Sequence, residues 1–222
     1  MNKAFIFDVD GTLIDSNDFH ALAWQKAFAE YGKKIPLDKI RSQIGKGADT
    51  LLPVFLSEKE IAEFGKQLAE RRGEVFKDEY LNRVKPFPKV RELFQKIKAD
   101  DIKIALASSS KKTEVKQYEK IANIADLVEK ETSADDADES KPAPDIFESA
   151  LKLLGNPKLS EVIVVGDTPY DAEAATKAGI KIIGVLCGGF PKEELEKAGC
   201  VAIYENPTDL LKNYEKIIEN FN

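Results

Sequence analysis

The chain has 222 residues, and its 33 Lys and Arg against 39 Asp and Glu give a formal net charge of −6. A hydrophobic fraction of 43% excludes a disordered or fibrous chain, and net acidity without a clustered basic stripe argues against nucleic acid as a partner. No apolar run approaches the roughly 18 residues of a membrane span, and residues 4–7 are too short a run for a signal peptide. One large domain, or a core with a smaller companion, is expected, with small molecules as partners.

The two cysteines, Cys187 and Cys200, form neither a CxxC pair nor a zinc pattern with the single histidine, His20. Free thiols are therefore expected, as is typical of the cytoplasm. The sequence carries no signal for an oligomeric state.

Short apolar runs recur along the chain at 4–7, 102–107, 162–165, 180–185 and 200–204. Helical patterns lie between the later runs, and the runs are nearly continuous rather than alternating. This alternation predicts a parallel sheet covered by crossover helices on both faces.

The segment between residues 17 and 83 has a different pattern. Apolar residues there fall at helical spacing, as at Ile61, Phe64 and Leu68, and no strand-like run occurs. The end of the first strand and the prolines at 86 and 88 are natural borders. We predict a helical insertion at 16–85, and a core made of 1–15 and 86–222.

Asp8 and Asp10 follow the first apolar run directly and precede Gly11 and Thr12. Positions i and i+2 of an extended chain face the same side, so both carboxylates can converge at the carboxyl end of a buried strand, where ligands of open α/β sheets bind. A plain Asp-Gly turn explains Asp10 but not Asp8.

Polar residues also follow the second predicted strand. Ser108, Ser109 and Ser110 precede a helix, where hydroxyls and free N–H groups favour an anion, although a serine run is equally good as an N-cap. Lys141 lies in SKPAPDIF, before two prolines that stiffen the approach to the next helix; a single lysine is usually a surface residue.

Asp167 follows the strand at 162–165 and is expected at the same sheet edge as Asp8 and Asp10. Asp171 could return to that edge from the first helical turn, or serve only as a favourable N-terminal charge. Three carboxylates at one edge repel each other unless a cation lies among them, and hard oxygen ligands suit Mg²⁺. The sequence therefore predicts a magnesium site.

Four segments together resemble the motifs of the haloacid dehalogenase superfamily: DVDGT at 8–12, the strand-terminal Ser108, SKPAPDIF around Lys141, and GDTPYD at 166–171. The resemblance covers nearly the whole chain. It implies an α/β fold with a doubly wound, Rossmann-like parallel sheet, and the insertion resembles a small α-helical cap domain. The pattern is similar to that of phosphoglycolate phosphatases, sugar-phosphate phosphatases and β-phosphoglucomutase.

The resemblance implies a role for each motif residue. Asp8 would attack phosphorus and form an aspartyl phosphate, while Asp10 would act as general acid and then as general base. Mg²⁺ would be held by Asp8, by the backbone carbonyl of Asp10 and by Asp167. Phosphate binding and support would fall to the remaining motif residues, namely Gly11, Thr12, Ser108, Ser109, Lys141 and Asp171, with Thr12 orienting Asp10 and Asp171 supporting Lys141 or the metal's waters.

Other activities fit the sequence less well. Dehalogenation needs neither a metal nor a second carboxylate in the first motif, so Asp10 and Asp167 argue against it. A receiver-type signalling module would leave residues 17–83 unexplained. A Ser-His-Asp hydrolase would depend on His20, which lies beside Phe19 in the insertion, where a packed or hinge histidine is expected.

The substrate is expected to be a small-molecule phosphate ester, either phosphoglycolate or a sugar phosphate. His20 and Lys46, in the loop at 44–49, are the predicted cap contacts to the leaving group. A β-phosphoglucomutase-like phosphomutase is the alternative. Against it, Asp49 occupies the place where the mutase has an arginine, and the last motif lacks the mutase's adjacent Glu-Asp pair.

Overall fold

The computed structural model describes residues 3–220 and has a parallel sheet at its centre. The strands of the described residues are, in chain order, β1 (Ala4–Phe7), β2 (Ile14–Asp15), β3 (Lys85–Pro86), β4 (Lys103–Ala107), β5 (Lys130–Thr132), β6 (Val162–Gly166), β7 (Lys181–Val185) and β8 (Ala202–Tyr204). Six of them form one sheet in the order β5-β4-β1-β6-β7-β8, with every pairing parallel.

The α-helices of the described residues are α1 (Asn17–Glu30), α2 (Leu37–Arg41), α3 (Ala48–Phe55), α4 (Glu58–Glu60), α5 (Lys66–Val75), α6 (Val90–Ala99), α7 (Lys112–Ile121), α8 (Asp145–Leu153), α9 (Pro169–Lys177), α10 (Lys192–Ala198), α11 (Pro207–Lys212) and α12 (Tyr214–Glu219). A π-helical turn at Ile61–Gly65 joins α4 to α5, and a second π-helical turn at Phe76–Tyr80 and a 3-10 turn at Leu81–Arg83 continue the helical run after α5. None of these helices has the length and apolar composition that crossing a bilayer requires.

The sheet is buried on both faces because its strands are apolar at successive positions. Phe5 and Phe7 of β1 face one apolar cluster, in which the ring of Phe94 lies 4.8 Å from that of Phe7. Ile6 faces a second cluster on the other side, together with Phe147. The predicted doubly wound α/β core is therefore confirmed.

The five predicted apolar runs correspond to β1, β4, β6, β7 and β8. The edge strand β5 was not predicted, since its sequence Lys-Glu-Thr has no apolar residue. The pair β2 and β3 was also missed: it is a two-stranded antiparallel ribbon, in which Ile14 pairs with Pro86 and Asp15 with Lys85.

The helices between residues 17 and 83 enclose an apolar cluster of their own, built around Trp24, Phe28 and Leu68. The ribbon of β2 and β3 joins the two ends of this segment, just where the chain leaves and re-enters the parallel sheet. Phe76 instead packs into the cluster under the sheet. We propose on this basis that 16–85 forms the cap and that 1–15 and 86–222 form the core.

Candidate active site

Asp8 lies at the carboxyl end of the central strand β1, where its backbone N–H continues the ladder to Val165 at 2.8 Å. The residue is only 6% exposed. Its Oδ1 lies 2.6 Å from Nζ of Lys141, while its Oδ2 is buried and has no hydrogen-bond partner among the described residues. One carboxylate oxygen is thus held by a cation and the other is free to react.

Lys141 is 1% exposed and is no surface lysine. Its Nζ lies 2.6 Å from Asp8 and 2.7 Å from Oδ1 of Asp171, and it donates to the carbonyl of Ala107 at 3.0 Å. Burial alone lowers the pKa of Lys141, but the two carboxylates outweigh it and hold that pKa above its usual value. The residue therefore remains a buried ammonium ion.

Asp171 combines the two roles that the sequence left open. Its Oδ2 accepts from the backbone N–H and the hydroxyl of Thr168, at 3.0 and 2.7 Å, and so forms the N-terminal capping box of α9. Its Oδ1 faces Lys141. The helix cap thereby fixes the carboxylate that positions the lysine.

Asp167 is fully buried at the end of β6. It accepts hydrogen bonds from the hydroxyl of Thr12 at 3.1 Å and from Nδ2 of Asn17 at 2.8 Å. Thr12 was expected to orient Asp10, and the structure directs its hydroxyl to Asp167 instead. Asn17, at the start of α1, gave no signal in the sequence; its Nδ2 also donates to the carbonyl of Gly188.

Asp8, Asp167 and Asp171 form an acidic cluster, with one carboxylate oxygen of each within 4.8 Å of the others. Burial, followed by the charge of Asp171, raises the pKa of Asp8 to about 7, although Lys141 opposes the shift. Burial also raises the pKa of Asp167, with Asp8 adding to the effect. One ammonium group is too little positive charge for three buried carboxylates.

The acidic cluster fits a hard divalent cation. Its donors are carboxylate oxygens, and one of its members, Asp8, has an oxygen, Oδ2, without a hydrogen-bond partner among the described residues. The backbone also closes tightly around Asp167, because a Cβ at Gly188 would lie 1.7 Å from its Oδ2 and one at Gly11, where φ is +83°, would lie 2.3 Å from it. Glycine at positions 11 and 188 thus leaves room for the carboxylate of Asp167, and any larger residue at either position would clash with it.

The carboxylate of Asp10 is held apart from the acidic cluster by a ring of donors. Its Oδ1 accepts from Ser16 at 2.6 Å and lies 2.8 Å from Nε2 of His20, and its Oδ2 lies 3.0 Å from Oγ of Ser110 and 3.4 Å from Oγ of Ser108. Burial alone raises the pKa of Asp10, but His20 and the hydrogen bond from Ser16 outweigh it and hold that pKa well below its usual value.

His20 is buried, stacks on Phe76 with ring centroids 4.0 Å apart and contacts Asp10. Its Nδ1 lies 3.4 Å from Nη1 of Arg72. Since a guanidinium group only donates, Nδ1 accepts, and the ring hydrogen of a neutral imidazole lies on Nε2, facing Asp10. The histidine expected to contact substrate is thus a hydrogen-bond donor to the predicted acid/base.

A small cavity of about 30 Å³ lies between the sheet edge and the helical segment. Arg72, which sequence reasoning missed within a charged helical stretch, lies 5.2 Å from the ring centroid of Trp24. Its Nε is buried and has no hydrogen-bond partner within residues 3–220. Lys46 donates to Oε1 of Gln43 at 2.7 Å, and burial lowers its pKa. The cavity is lined by Asp8, Asp10, His20, Trp24, Ile44, Gly45, Lys46, Arg72, Ser109 and Ser110.

The serines that follow β4 make different contacts in the site. Ser108, fully buried, accepts from the backbone N–H of Ser110 at 3.0 Å and faces Asp10. Ser109 donates to the carbonyl of Gly45 at 3.2 Å and so links the sheet edge to the loop at 44–49. The run is therefore part of the site, and it does not cap α7, whose N-cap position is occupied by Lys111.

The raised pKa of Asp8 predicts that, in chelator, the free energy of unfolding falls as the pH rises from 4 to 7. The folded state retains this proton up to about pH 7, whereas the unfolded chain releases it near the ordinary value of 3.8. Over that interval the folded state binds more protons, which corresponds to a loss on the order of 4 kcal/mol. Denaturant titrations in EDTA at pH 4.5 and 7.5 measure it; an unchanged free energy would contradict the assignment, and Asp8→Asn should flatten the slope.

The geometry agrees with comparisons to known proteins. Residues 5–185 match the family model described as haloacid dehalogenase-like hydrolase. The chain is 31% identical to a phosphoglycolate phosphatase of Aquifex aeolicus, over 84% of this chain and 85% of that protein. It is 29% identical to a phosphorylated carbohydrates phosphatase of Thermotoga maritima, over 97% and 100%. It is also 34% identical to the chloroplast protein SUPPRESSOR OF QUENCHING 1 of Arabidopsis thaliana, but spans only 18% of that longer protein.

The solved structures include a hydrolase from Pseudomonas syringae that superposes with a TM-score of 0.89 at 27% identity, over 97% of this chain and 99% of that one. The match extends across the parallel sheet and the inserted helices alike. Together with the family match over residues 5–185, which contains Asp8, Asp10, Lys141 and Asp167, these findings show that the chain belongs to the haloacid dehalogenase-like hydrolases.

Proposed function

We propose that the chain is an Mg²⁺-dependent phosphatase that hydrolyses a small-molecule phosphate monoester through an aspartyl phosphate at Asp8. The observation that carries this proposal is the environment of the Asp8 carboxylate: Lys141 holds one oxygen at 2.6 Å, while the other oxygen is buried and has no partner in the part of the chain that the structure describes. A carboxylate nucleophile needs such a free oxygen, and a nearby positive charge lets a dianionic phosphate approach it.

In the first step, Oδ2 of Asp8 bonds to phosphorus as the ester P–O bond breaks, and Asp10 gives its proton to the leaving oxygen. In the second step, water attacks the phosphorus of the aspartyl phosphate, Asp10 takes a proton from that water, and Asp8 is released. The hydroxyl and imidazole groups around Asp10 hold its carboxyl in place for both steps.

Mg²⁺ would be held by Asp8, the backbone carbonyl of Asp10 and Asp167, and it supplies positive charge that the acidic cluster lacks. Lys141 adds the second positive charge next to the nucleophile. The serine hydroxyls of Ser108 and Ser109 and the backbone N–H groups around Gly11 and Ser109 would bind the phosphoryl oxygens.

The substrate would be phosphoglycolate or a sugar phosphate, in line with the names of the Aquifex and Thermotoga relatives. The site offers room beyond the small cavity, because Arg72 and Ser109 also line a neighbouring cavity of about 380 Å³. Cys187 and Cys200 are free thiols, which supports a cytoplasmic enzyme. Nucleic acid is not an expected partner of this acidic chain.

The test is hydrolysis of 4-nitrophenyl phosphate with and without metal. We expect turnover with Mg²⁺, loss to background after exhaustive chelation, and recovery when Mg²⁺ is restored, because the acidic cluster alone repels the phosphate. Ca²⁺ serves as a second divalent ion of different size, which we expect to bind without restoring full turnover. Undiminished turnover in chelator would overturn the metal assignment.

A phosphomutase activity is the competing function, and we expect net phosphate release instead. A mutase must bind a bisphosphate at both ends, whereas Asp49, whose Oδ2 accepts from the backbone N–H of Ser140 at 3.0 Å, places an acid at the neighbouring cavity. Supplying β-glucose 1-phosphate with a trace of the 1,6-bisphosphate, and following both products, tests this. Glucose 6-phosphate formed much faster than phosphate would favour the mutase.

A further inference from the structure

We propose that Glu114, on helix α7, is a positioning residue for Asp10, acting through the hydroxyl of Ser110. Its Oε1 lies 2.6 Å from Oγ of Ser110, which in turn lies 3.0 Å from Oδ2 of Asp10. Glu114 itself makes no described contact to Asp10. The proposal rests on the proposed function, since it concerns the proton that Asp10 donates.

Ser110 carries one hydroxyl hydrogen but faces two carboxylates. The shorter contact is the one to Glu114, so the hydrogen is directed there, and the lone pairs of the hydroxyl are left facing Oδ2 of Asp10. This hydroxyl oxygen of Ser110 can therefore accept a hydrogen bond from the protonated carboxyl of Asp10, the form that later protonates the leaving group. Without Glu114, the hydroxyl hydrogen of Ser110 would turn towards Oδ2 of Asp10 and disfavour the protonated form of that carboxyl group.

The other oxygen of Asp10 cannot serve this purpose, because its partners donate. Nε2 of His20 carries its hydrogen towards Oδ1, since Arg72 faces Nδ1, and Ser16 donates to the same oxygen at 2.6 Å. Oδ2 lies closest to Ser110, at 3.0 Å, and its contact to the hydroxyl of Ser108 is longer, at 3.4 Å. The acid hydrogen of Asp10 therefore belongs on Oδ2, next to Ser110.

Tyr118 fixes Glu114 from the opposite side. Its hydroxyl lies 3.4 Å from Oε1 of Glu114 and 3.1 Å from Nε2 of His20, and since Nε2 already carries a hydrogen, the hydroxyl donates to Glu114 rather than to His20. The glutamate side chain is 16% exposed, and its Oε1 is held from two sides by Ser110 and Tyr118. The contacts thus form a chain in which Arg72 donates to His20, Nε2 of His20 faces the hydroxyl of Tyr118, and Tyr118 donates to Glu114.

The experiment compares kcat/KM for phenyl phosphate and 4-nitrophenyl phosphate, two substrates of similar shape. Phenolate is a strong base that needs a proton on leaving, and nitrophenolate is a weak one. We expect Glu114→Ala to lower kcat/KM for phenyl phosphate by about 10²-fold, the lower end of general acid catalysis, and to change it little for the nitro compound. Glu114→Gln keeps an acceptor oxygen and should restore the phenyl phosphate rate.

Two further variants keep the test decisive if Glu114→Ala folds poorly. Ser110→Ala should show the same dependence on the leaving group, and Ser110→Ala with Glu114→Ala should lose no more than Ser110→Ala alone, since Glu114 acts through that hydroxyl. Gln117→Ala, on the same helix, is the matched control and should leave both rates unchanged.

Equal losses with both substrates, or additive losses in the double variant, would overturn the role of Glu114 while leaving the phosphatase proposal intact. A wild-type chain that hydrolyses neither ester would overturn both. The two failures are thus distinguishable in one set of assays.

Discussion

The Asp8→Asn variant is expected to lose phosphate ester hydrolysis to the background rate. The carboxamide is a far weaker nucleophile than the carboxylate, and the partnerless Oδ2 of Asp8 is the oxygen placed to attack. Turnover of 4-nitrophenyl phosphate with Mg²⁺ measures the loss. Acid quenching after incubation with a radioactive phosphate ester should label the wild-type chain and leave Asp8→Asn unlabelled.

The neighbouring variant Asp10→Asn should differ in kind. It loses the general acid and base, so turnover falls by roughly 10² to 10⁴-fold, but Asp8 remains able to accept phosphate. Because the attacking water then lacks its base, we expect label to persist on this variant. Label found on Ser108 would contradict the nucleophile assignment.

The predictions for Asp8→Asn and Asp10→Asn both require that the variants fold. Asp8→Asn removes one of three buried carboxylates, and the pKa of Asp8 is raised mainly by burial and by Asp171. In chelator the variant should therefore be at least as stable as the wild type at pH 7.5. Asp15→Asn, at the exposed end of β2, is the control for both activity and stability.

The sheet and its polar edge were predictable from the sequence because they follow from strand geometry. Parallel strands end at one edge, so residues placed after apolar runs, such as Asp8, Ser108 and Asp167, necessarily converge. Strand β5 was not predicted, because it forms by pairing with β4 and has no apolar residues of its own that would indicate a strand.

The residues that the sequence missed reach the site from helices. Ser16 and Asn17 lie at the start of α1, Arg72 on α5 and Glu114 on α7, and each contacts the site only because its helix is packed against the sheet edge. Helical periodicity predicts which face is buried but not which polar side chain meets another element. Arg72 follows Arg71, which pairs with Glu30, and nothing in the sequence separates the two.

The contacts of Lys141 were likewise not predictable from the sequence. The motif predicted a role for this residue near phosphate, but not its complete burial between two carboxylates. Breaking a buried ion pair by removing one partner is strongly destabilising, because the remaining charge is uncompensated. Lys141 supports Asp8 and Asp171 together. Its removal is therefore expected to affect both stability and turnover.

We expect Lys141→Met, of similar length and without charge, to lose about 3–5 kcal/mol of unfolding free energy in chelator at pH 7.5 and to lose turnover. Lys141 opposes the rise in the pKa of Asp8, so its removal raises that pKa further. The folded variant then holds its proton to higher pH than the wild type, so the deficit in stability should shrink as the pH falls towards 7 from above and stay constant below 7. Denaturant titrations across this range measure it.

Lys158→Met, at an exposed position, is the matched control and should leave stability and turnover unchanged. Adding Asp171→Asn to Lys141→Met removes one of the uncompensated carboxylates, so the double variant should regain part of the lost stability at pH 7.5. It should not regain turnover, because the positive charge beside Asp8 is still missing. Full stability in Lys141→Met alone, or turnover near the wild-type rate, would show that the buried ammonium group is not what balances the acidic cluster.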